Sequence, residues 1–249
     1  MEDLGFSFIE KEDNISLKFP LKPVYWERRV SKLIEDQVIL DIEEAKEFMI
    51  KFNDPVIYEV YKLGEFLEKF EKVTEKTGIA CDITLLKHGI FSISRNGELF
   101  CTYGHKHKTK MGEVYHVLKN DCFLELSDIE NFDTIIVKLK EGDTFFIHPK
   151  FLHRLICSPR KDCLVVGFVP LEAGHDYDAV KNKGFPYHVF FDYSDRELKF
   201  SNNPKFGEVS LKLVGEVRRK ENVFQLFFSE KLKSILKKPN SHEEFYALD

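Results

Sequence analysis

The middle of the chain, from about residue 82 to residue 169, consists of short stretches rich in Ile, Val, Phe, Leu and Thr that are separated by turn residues. Runs of this length and composition are typical of β-strands. Many short strands at close spacing indicate a mainly β protein, either a sandwich or a barrel. The strands are predicted at residues 82–87, 90–95, 98–103, 113–118, 122–126, 133–138, 144–147, 152–157 and 163–169.

Turn residues divide these apolar runs into strands of ordinary length. Asn96-Gly97 predicts a tight type I′ hairpin turn, because both residues tolerate the positive φ that this turn requires. Further turns are predicted at Asn120-Asp121 and at Glu141-Gly142-Asp143.

The flanking parts of the chain combine further strands with helices. Apolar residues at helical spacing predict a helix at residues 42–52, where Asp41 would cap the N-terminus, and an amphipathic helix at residues 223–236. Residues 63–77 favour a short surface helix, with a charged loop between strands as the alternative. Strands are predicted at residues 15–19, 56–61, 187–193, 197–201 and 208–214.

Composition places the chain among ordinary soluble globular proteins. Hydrophobic residues make up 43% of the 249 positions and charged residues 32%, which allows both a packed core and a solvated surface. The net charge of −5 argues against a nucleic-acid partner. No apolar run is long enough to span a membrane, and the acidic N-terminus lacks a signal-peptide pattern. We therefore expect a cytoplasmic protein.

The five cysteines lie within strand-like segments, and no two of them form a Cys-x-x-Cys pair. An odd number of cysteines without metal-binding spacing favours free, buried thiols over disulfides or thiolate ligands.

Candidate chemistry is concentrated in residues 104–115. His105 and His107 are two positions apart, so on a strand both imidazoles point to one face. Glu113 follows a short turn, and pairing of a return strand with the histidine strand would direct its carboxylate into the same space. His153 supplies a third imidazole from later in the chain. These ligand types suit Fe²⁺, Mn²⁺, Ni²⁺ or Zn²⁺ and do not by themselves choose among the four ions. Of these ions we expect Fe²⁺.

Tyr115 lies two residues after Glu113, so strand alternation puts its side chain on the cavity side as well. Such a tyrosine can be a barrel core residue, or its hydroxyl can contact a substrate or orient Glu113. We favour the hydroxyl role, because the neighbouring residues on this face are candidate metal ligands.

The motif Gly-His-x-His with a following Glu, and a later Gly…Pro…His, is similar to the two-part pattern of cupins. Several segments make the resemblance more specific, because they are similar in order to the cupin-type phosphoglucose isomerases of archaea. The resemblance covers about residues 20–205. The segments are Asp-Pro-Val-Ile-Tyr-Glu-Val-Tyr at 54–61, Thr-Tyr-Gly-His-Lys-His at 102–107, Leu-Glu-Ala-Gly-His-Asp-Tyr at 171–177, Lys-Gly-Phe at 183–185 and Asn-Pro at 203–204.

The resemblance implies a mainly β cupin barrel, that is, a double-stranded β-helix or jelly roll with a few peripheral helices. It places one cupin domain with an N-terminal arm at residues 1–205, with the barrel at about 56–201. Residues 206–249 would form a C-terminal extension of one strand and an amphipathic helix.

The resemblance also implies a homodimeric, metal-dependent isomerase that interconverts glucose 6-phosphate and fructose 6-phosphate and binds neither nucleic acid nor membranes. The metal ligands would be His105, His107, Glu113 and His153. Contacts to the substrate, chiefly to its phosphate, would come from Tyr58, Thr84, Thr102 and Gly104. The sugar site would be lined by Tyr115, His175 and Tyr177.

Three positions depart from the family pattern or from regular strand geometry. Val169 stands where the family usually has a tyrosine. Thr102 and Gly104 have the opposite strand parity from His105, so a bend or bulge at Gly104 is required to bring both sets into one cavity.

Two mechanisms fit these residues. In the first, which we favour, Glu113 removes the C2 proton and returns it to C1 through a cis-enediol, with Tyr115 and the metal stabilising the oxyanion. In the second, a hydride shifts directly between the two carbons. His175 would assist ring opening in either mechanism. The alternative functions are a non-catalytic sugar-phosphate-binding cupin and a cupin Fe(II) dioxygenase.

Overall fold

Two facing β-sheets form the centre of the protein in a computed structural model, which describes residues 4–215, 217 and 221–246. Within these residues the strands are Ser7–Lys11 (β1), Asn14–Lys18 (β2), Tyr25–Arg29 (β3), Val56–Lys62 (β4), Ile79–Leu86 (β5), Asn96–Glu98 (β6), Lys106–His107 (β7), Glu113–Lys119 (β8), Cys122–Asp128 (β9), Thr134–Leu139 (β10), Thr144–Ile147 (β11), Phe151–Cys157 (β12), Cys163–Pro170 (β13), His175–Asp176 (β14), Tyr187–Asp192 (β15), Glu197–Asn202 (β16) and Leu211–Val214 (β17). The helices are Val30–Glu35 (α1), Ile42–Lys51 (α2), Glu68–Thr77 (α3), Val223–Phe228 (α4), Lys231–Lys237 (α5) and Glu243–Tyr246 (α6).

The strands alternate between the two sheets in the manner of a jelly roll. One sheet has the order β11-β8-β13-β5-β4-β3 and the other the order β12-β9-β10-β17. Between β8 and β13 the chain crosses repeatedly from one sheet to the other, so apolar side chains of both inner faces share one core cluster. The prediction of a mainly β barrel is confirmed.

Most predicted strands are present with shifted ends. The run from β8 to β13 occupies the predicted segments, as do β2, β4, β5, β15 and β16, while β17 is shorter than expected. Each of these runs supplies apolar side chains to a buried face of a sheet, and this is why the spacing of apolar residues in the sequence predicts the strand.

Two predicted strands, residues 90–95 and 98–103, are wrong. Residues 91–95 form a bend, and Ile90 and Leu99 make only an isolated bridge. The predicted turn at Asn96-Gly97 is also wrong, because Asn96–Glu98 is itself a strand that pairs with β15.

Side-chain hydrogen bonds explain why the chain turns earlier. The Ser94 hydroxyl donates to the Asn96 carbonyl at 2.7 Å and lies 2.8 Å from the Ser92 hydroxyl, which closes the bend locally. Gly97 is needed for space and not for a positive φ, since a Cβ there would lie 2.6 Å from the Ser92 Cβ. Sequence propensity does not distinguish a glycine that is required for space from one that is required for a positive φ.

The helix predictions near the N-terminus are confirmed. Helix α2 begins after Asp41, whose side chain accepts from the Glu44 amide at 3.4 Å. Residues 63–77 contain a 3₁₀ turn, Leu63–Glu65, followed by α3, so the charged-loop alternative is wrong. Phe70 of α3 is fully buried, which gives the helix its tertiary anchor.

The single helix predicted at residues 223–236 is wrong. It is divided into α4 and α5, with Glu230 at φ +66° between them. The division allows buried residues of both short helices, such as Phe227 and Leu236, to join one apolar cluster with the outer face of the six-stranded sheet. Tertiary burial therefore outweighs the continuous helical pattern.

All five cysteines are free and buried, as expected from the sequence. No helix in the described ranges is long and apolar enough to cross a membrane.

The division into a unit at 1–205 and an extension at 206–249 stays a prediction. Strand β17 of the extension pairs in parallel with β10 of the barrel. Residues 1–3 of the predicted unit, and 216, 218–220 and 247–249 of the predicted extension, lie outside the described residues.

Candidate metal centre and active-site cavity

Three imidazoles converge on one carboxylate oxygen between the two sheets. Oε2 of Glu113 lies 2.9 Å from Nε2 of His153, 3.2 Å from Nε2 of His107 and 3.6 Å from Nε2 of His105. One donor atom from each of the four residues lies within 4.8 Å of all the others. The structure thus brings together the four residues that the sequence nominated as ligands.

The strands that carry these residues differ from the sequence expectation in one respect. His105 forms a bridge with His153 through reciprocal backbone hydrogen bonds of 3.0 and 3.1 Å, and β7 pairs with β14. The expected pairing of the Glu113 strand with the histidine strand is wrong, because β8 pairs with β11 and β13. The carboxylate reaches the imidazoles from the six-stranded sheet, while His153 lies on the facing one.

Backbone carbonyls orient two of the imidazoles. Nδ1 of His107 lies 2.6 Å from the Met111 carbonyl, and Nδ1 of His153 lies 3.3 Å from the Phe151 carbonyl. A carbonyl accepts only, so each Nδ1 carries a proton, and in the neutral form of the ring the Nε2 lone pair is directed at the cluster.

This arrangement fits a divalent cation. Nε2 of His105 is buried and has no hydrogen-bond partner within the described residues. Lone pairs that face a carboxylate oxygen at about 3 Å repel it unless positive charge lies between them. Four donor atoms this close together are compatible with binding of one first-row metal ion, whose bonds to nitrogen and oxygen are about 2.0–2.2 Å long.

The protonation states of the site follow from burial and from the shared carboxylate. Burial raises the pKa of Glu113, but the contacts with the three imidazoles outweigh this and hold the pKa well below its usual range. Burial holds the pKa of His105 well below its usual range. Burial, reinforced by the Glu113 carboxylate, holds the pKa of Tyr115 well above its usual range, so its hydroxyl is a proton donor. The Glu113 carboxylate is therefore ionised next to the neutral imidazole of His105 and the protonated phenol of Tyr115.

A cavity of about 640 Å³ opens beside the cluster, a volume typical of small-molecule sites. Its wall includes the metal-cluster residues His105 and Glu113, whereas His107 and His153 do not line it. The wall also contains every residue that the sequence nominated for substrate: Tyr58, Thr84, Thr102, Gly104, Tyr115, His175 and Tyr177. The individual roles of these residues stay predictions.

Gly104 supplies the bend that strand parity required. Its φ is +75°, and a Cβ at this position would lie 2.4 Å from the Phe185 ring and 2.9 Å from Cβ of Arg154. Both the backbone conformation and the space exclude a side chain. The bend lets Thr102 and His105 face one cavity although they differ in strand parity.

The segment that carries His175 and Tyr177 closes over the histidine strand. His175 pairs with His107 in the short β7–β14 ladder, and its ring lies 4.1 Å from the His105 ring. The Tyr177 hydroxyl lies 3.4 Å from Nδ1 of His175. Burial lowers the pKa of His175 and raises the pKa of Tyr177 to about 12, so both groups are neutral near pH 7.

Sequence reasoning missed several polar or aromatic residues of the cavity wall, among them Trp26, Arg28, Asp82 and Tyr103. Trp26 and Arg28 lie on β3, which was not predicted as a strand because prolines precede it. Trp26 and Arg28 are two positions apart, and this alternation could have indicated that both side chains point to one face of a strand. Asp82 lies two residues before Thr84 on β5, so the same alternation could have found it. Val169, the departure from the family pattern, also lines the cavity.

A jelly-roll barrel that holds three histidines and a glutamate between its sheets defines a metal-binding cupin.

Comparison with known proteins makes the class specific. Residues 28–205, well over half of the chain, match the family model described as Glucose-6-phosphate isomerase (GPI). The chain belongs to the glucose-6-phosphate isomerase family.

Individual relatives agree with this assignment. The chain is 30% identical to a glucose-6-phosphate isomerase of Thermococcus litoralis over 66% of this chain and 80% of that protein. It is 29% identical to one of Thermococcus kodakarensis over 67% of this chain and 80% of the relative. A solved oxalate oxidase in complex with the substrate analogue glycolate matches at 15% identity over 49% of this chain and 55% of that one, with a TM-score of 0.37. Similarity at that level bears on neither substrate nor reaction.

Proposed function

We propose that the protein is a metal-dependent aldose–ketose isomerase that interconverts glucose 6-phosphate and fructose 6-phosphate, a step of glycolysis and gluconeogenesis. The observation that carries the proposal is the His₃Glu cluster beside a cavity of small-molecule size, in a chain that belongs to the glucose-6-phosphate isomerase family.

The proposal assigns His105, His107, Glu113 and His153 as ligands of one divalent metal ion per subunit, with Fe²⁺ as the native metal and Mn²⁺, Ni²⁺ or Zn²⁺ as substitutes. Borderline nitrogen donors with one carboxylate favour these ions over Ca²⁺ and Mg²⁺. When bound, the ion supplies positive charge beside the substrate oxygens and so stabilises the negative charge that develops there.

Proton transfer is assigned to the residues around the cluster. Glu113 is the base that removes the C2 proton of the open-chain sugar and returns a proton to C1 through a cis-enediol. The carboxylate is ionised at neutral pH, as this role requires. Tyr115 donates a hydrogen bond to the oxyanion, because its phenol keeps its proton. His175, neutral and half-buried at the cavity wall, assists ring opening.

Substrate contacts are assigned to the remaining nominated residues of the cavity wall. Tyr58, Thr84, Thr102 and Tyr177 offer hydroxyls, and Gly104 offers a backbone without a side chain, for contacts to the phospho-sugar. The Thr102 hydroxyl already accepts from the Leu155 amide at 3.0 Å, which orients its own proton for donation to a ligand.

We further propose that the enzyme works in the cytoplasm as a homodimer. No helix among the described residues could span a membrane, which supports a protein without a membrane partner. The net charge of −5 supports a protein without a nucleic-acid partner. The free cysteines support a reducing compartment. The dimer rests on the family resemblance.

A coupled assay tests the proposal directly. Conversion of fructose 6-phosphate to glucose 6-phosphate is followed through NADP⁺ reduction by an added glucose-6-phosphate dehydrogenase. We expect turnover that EDTA abolishes and that Fe²⁺ or another first-row divalent ion restores. No turnover in the metal-loaded protein, or oxygen consumption in its place, would contradict the isomerase and favour the binding-protein or dioxygenase alternative.

A further inference from the structure

We propose that Arg28, which no sequence motif nominated, binds the phosphate group of the substrate and thereby sets the direction in which the sugar lies in the cavity. The inference rests on the proposed function, because it concerns the phosphate end of that substrate.

Two aromatic rings and one hydrogen bond hold the Arg28 side chain in place. Its Cζ lies 5.2 Å from the centre of the Trp26 ring and 5.5 Å from the centre of the Tyr103 ring. Its Nε donates to the Tyr58 hydroxyl at 3.4 Å. Two aromatic faces and one hydrogen bond fix the plane of the guanidinium, so little entropy remains to be lost when an anion binds.

The terminal nitrogens of this guanidinium have no partner. Within residues 4–215, 217 and 221–246, neither makes a hydrogen bond, and Arg28 has no carboxylate within ion-pair distance. Arg28 is only half-buried and lines the cavity. An arginine positioned by stacking but unpaired at its fork is suited to bidentate recognition of an oxyanion.

The neighbouring cations are already used. Lys62, the other Lys or Arg in the described cavity wall, pairs with Glu65 at 2.8 Å. Arg29 does not line the cavity; its guanidinium pairs with Glu27 and donates to the Asp54 carbonyl. Arg28 is therefore the cavity cation whose charge is not compensated by the protein.

Charges of both signs lie along the cavity wall. The wall carries the carboxylates of Asp82, Glu65 and Glu113, and Asp82 pairs with Lys62 in the β4–β5 ladder, four residues along β4 from Tyr58. Arg28 adjoins the Tyr58 hydroxyl. A doubly charged phosphate is repelled by the carboxylates and attracted by Arg28. The local attraction at Arg28 is important because the chain as a whole carries a net charge of −5.

A continuous series of ring contacts links Arg28 with the metal cluster. The Tyr103 ring touches the guanidinium and lies 5.5 Å from the Tyr177 ring, which in turn lies 5.8 Å from the His105 ring. A phosphate at Arg28 is therefore adjacent to Tyr58 and Tyr177, and the opposite end of the sugar extends along this wall to Glu113. The reacting carbons then lie beside the candidate base.

The test compares Arg28→Gln with Arg28→Lys and with Arg29→Gln, the adjacent arginine outside the cavity. Loss of a charge-assisted hydrogen bond predicts a fall in kcat/KM for fructose 6-phosphate on the order of 10- to 100-fold in Arg28→Gln, mainly through KM. Arg28→Lys should recover part of this loss because it keeps the charge. Arg29→Gln should stay near wild type.

Trp26, the single tryptophan of the chain, supplies a readout that is independent of turnover. Because the Arg28 guanidinium stacks on it, titration with inorganic phosphate should change its fluorescence, whereas chloride at equal ionic strength should not. Arg28→Gln should weaken this phosphate response by a similar 10- to 100-fold, with an unchanged melting temperature as the check on folding.

The outcomes separate the two proposals. If the wild type isomerises the sugar and Arg28→Gln keeps its KM and its phosphate response, the role of Arg28 is overturned and the proposed function stands. If the wild type shows no isomerase activity but its phosphate response depends on Arg28, the anion site stands and the proposed function fails. An equal loss in Arg29→Gln would also overturn the assignment to Arg28, since it would indicate a general effect of surface charge.

Discussion

His153 and Arg154 are neighbours on β12, and their side chains belong to two different buried polar clusters. Each residue is 1% exposed. His153 faces the six-stranded sheet and meets Glu113, whereas Arg154 points the other way and meets Glu125 at 2.7 Å. Both clusters therefore combine carboxylate and nitrogen in buried positions, on opposite faces of the same sheet.

The Arg154 cluster is satisfied by the protein itself. The guanidinium donates to Glu125, to the Tyr187 carbonyl at 2.8 Å and to Sγ of Cys101. Glu98 extends the network, because it accepts from the Leu40 amide at 2.7 Å and contacts Nδ1 of His188 at 2.6 Å. The network joins the barrel to the segment before α2.

The His153 cluster, by contrast, directs its donor atoms to one shared point. Two imidazoles have their Nδ1 protons used by carbonyls, and Nε2 of His105 has no hydrogen-bond partner in the described part of the chain. Burial and charge are similar in the two clusters. The two clusters differ in whether each polar atom has its own hydrogen-bond partner within the protein. This difference distinguishes a structural network from a candidate ligand-binding site.

The largest expected effect is the loss of catalysis in Glu113→Gln. Removal of a general base lowers kcat by about 10²–10⁴-fold, and the three histidines still retain some metal. Steady-state kinetics and metal analysis of the purified protein measure both quantities. Glu172→Gln, which alters an exposed carboxylate paired with Lys237, is the control. An unchanged kcat would remove Glu113 from the chemistry.

Next in size is the destabilisation expected of Arg154→Met. The change leaves Glu125 buried without its cation, at a cost of about 3–5 kcal/mol in the free energy of unfolding. Urea denaturation measures this loss, and Arg160→Met at an exposed position should cost less than about 0.5 kcal/mol. A fully stable variant would show that the network contributes nothing to folding.

Metal should stabilise one cluster and not the other. A divalent ion at 100 times its Kd adds about 2.7 kcal/mol to the stability of the wild type, which thermal melts with and without EDTA detect as a shift in Tm. The shift should nearly vanish in His107→Gln and persist in Arg154→Met. Equal shifts in all three proteins would place the metal outside the His₃Glu cluster.

The effect expected at Asp82 is confined to the pH dependence of stability. Burial, reduced by Lys62 and reinforced by Glu113, raises the pKa of this carboxyl to about 7. The folded protein then binds more protons than the unfolded chain between about pH 4 and 7, so this group lowers stability as the pH rises through that range. Asp82→Asn should remove that part of the pH dependence. The same slope in both proteins, measured by chemical denaturation at pH 5 and pH 8, contradicts the shifted pKa.

Several features of the fold and of the site were predictable because they depend on neighbours in the sequence. The spacing of His105 and His107 places both rings on one face of an extended chain, whatever the strand pairs with. Alternation predicted most barrel strands for the same reason. It failed at residues 90–103, where serine hydroxyls close a bend that strand propensity does not report.

Contacts between distant segments could not be predicted in this way. Glu113 was expected beside the histidine strand, yet it arrives from another sheet, because β8 pairs with β11 and β13. Arg28 was missed because its neighbours Tyr58 and Tyr103 are 30 and 75 residues away along the chain (58 − 28 and 103 − 28).

The sequence by itself determined the ligand types, the mainly β architecture and, through Gly104, the place where the histidine strand bends. Local conformation and the chemistry of side chains are properties of short segments, so short segments report them. The tertiary structure alone decided which buried polar atoms are partnered. His153 and Arg154 look equally polar in the sequence, and the pairing of distant strands gives one of them a complete set of partners and leaves the other directed at a shared ion site.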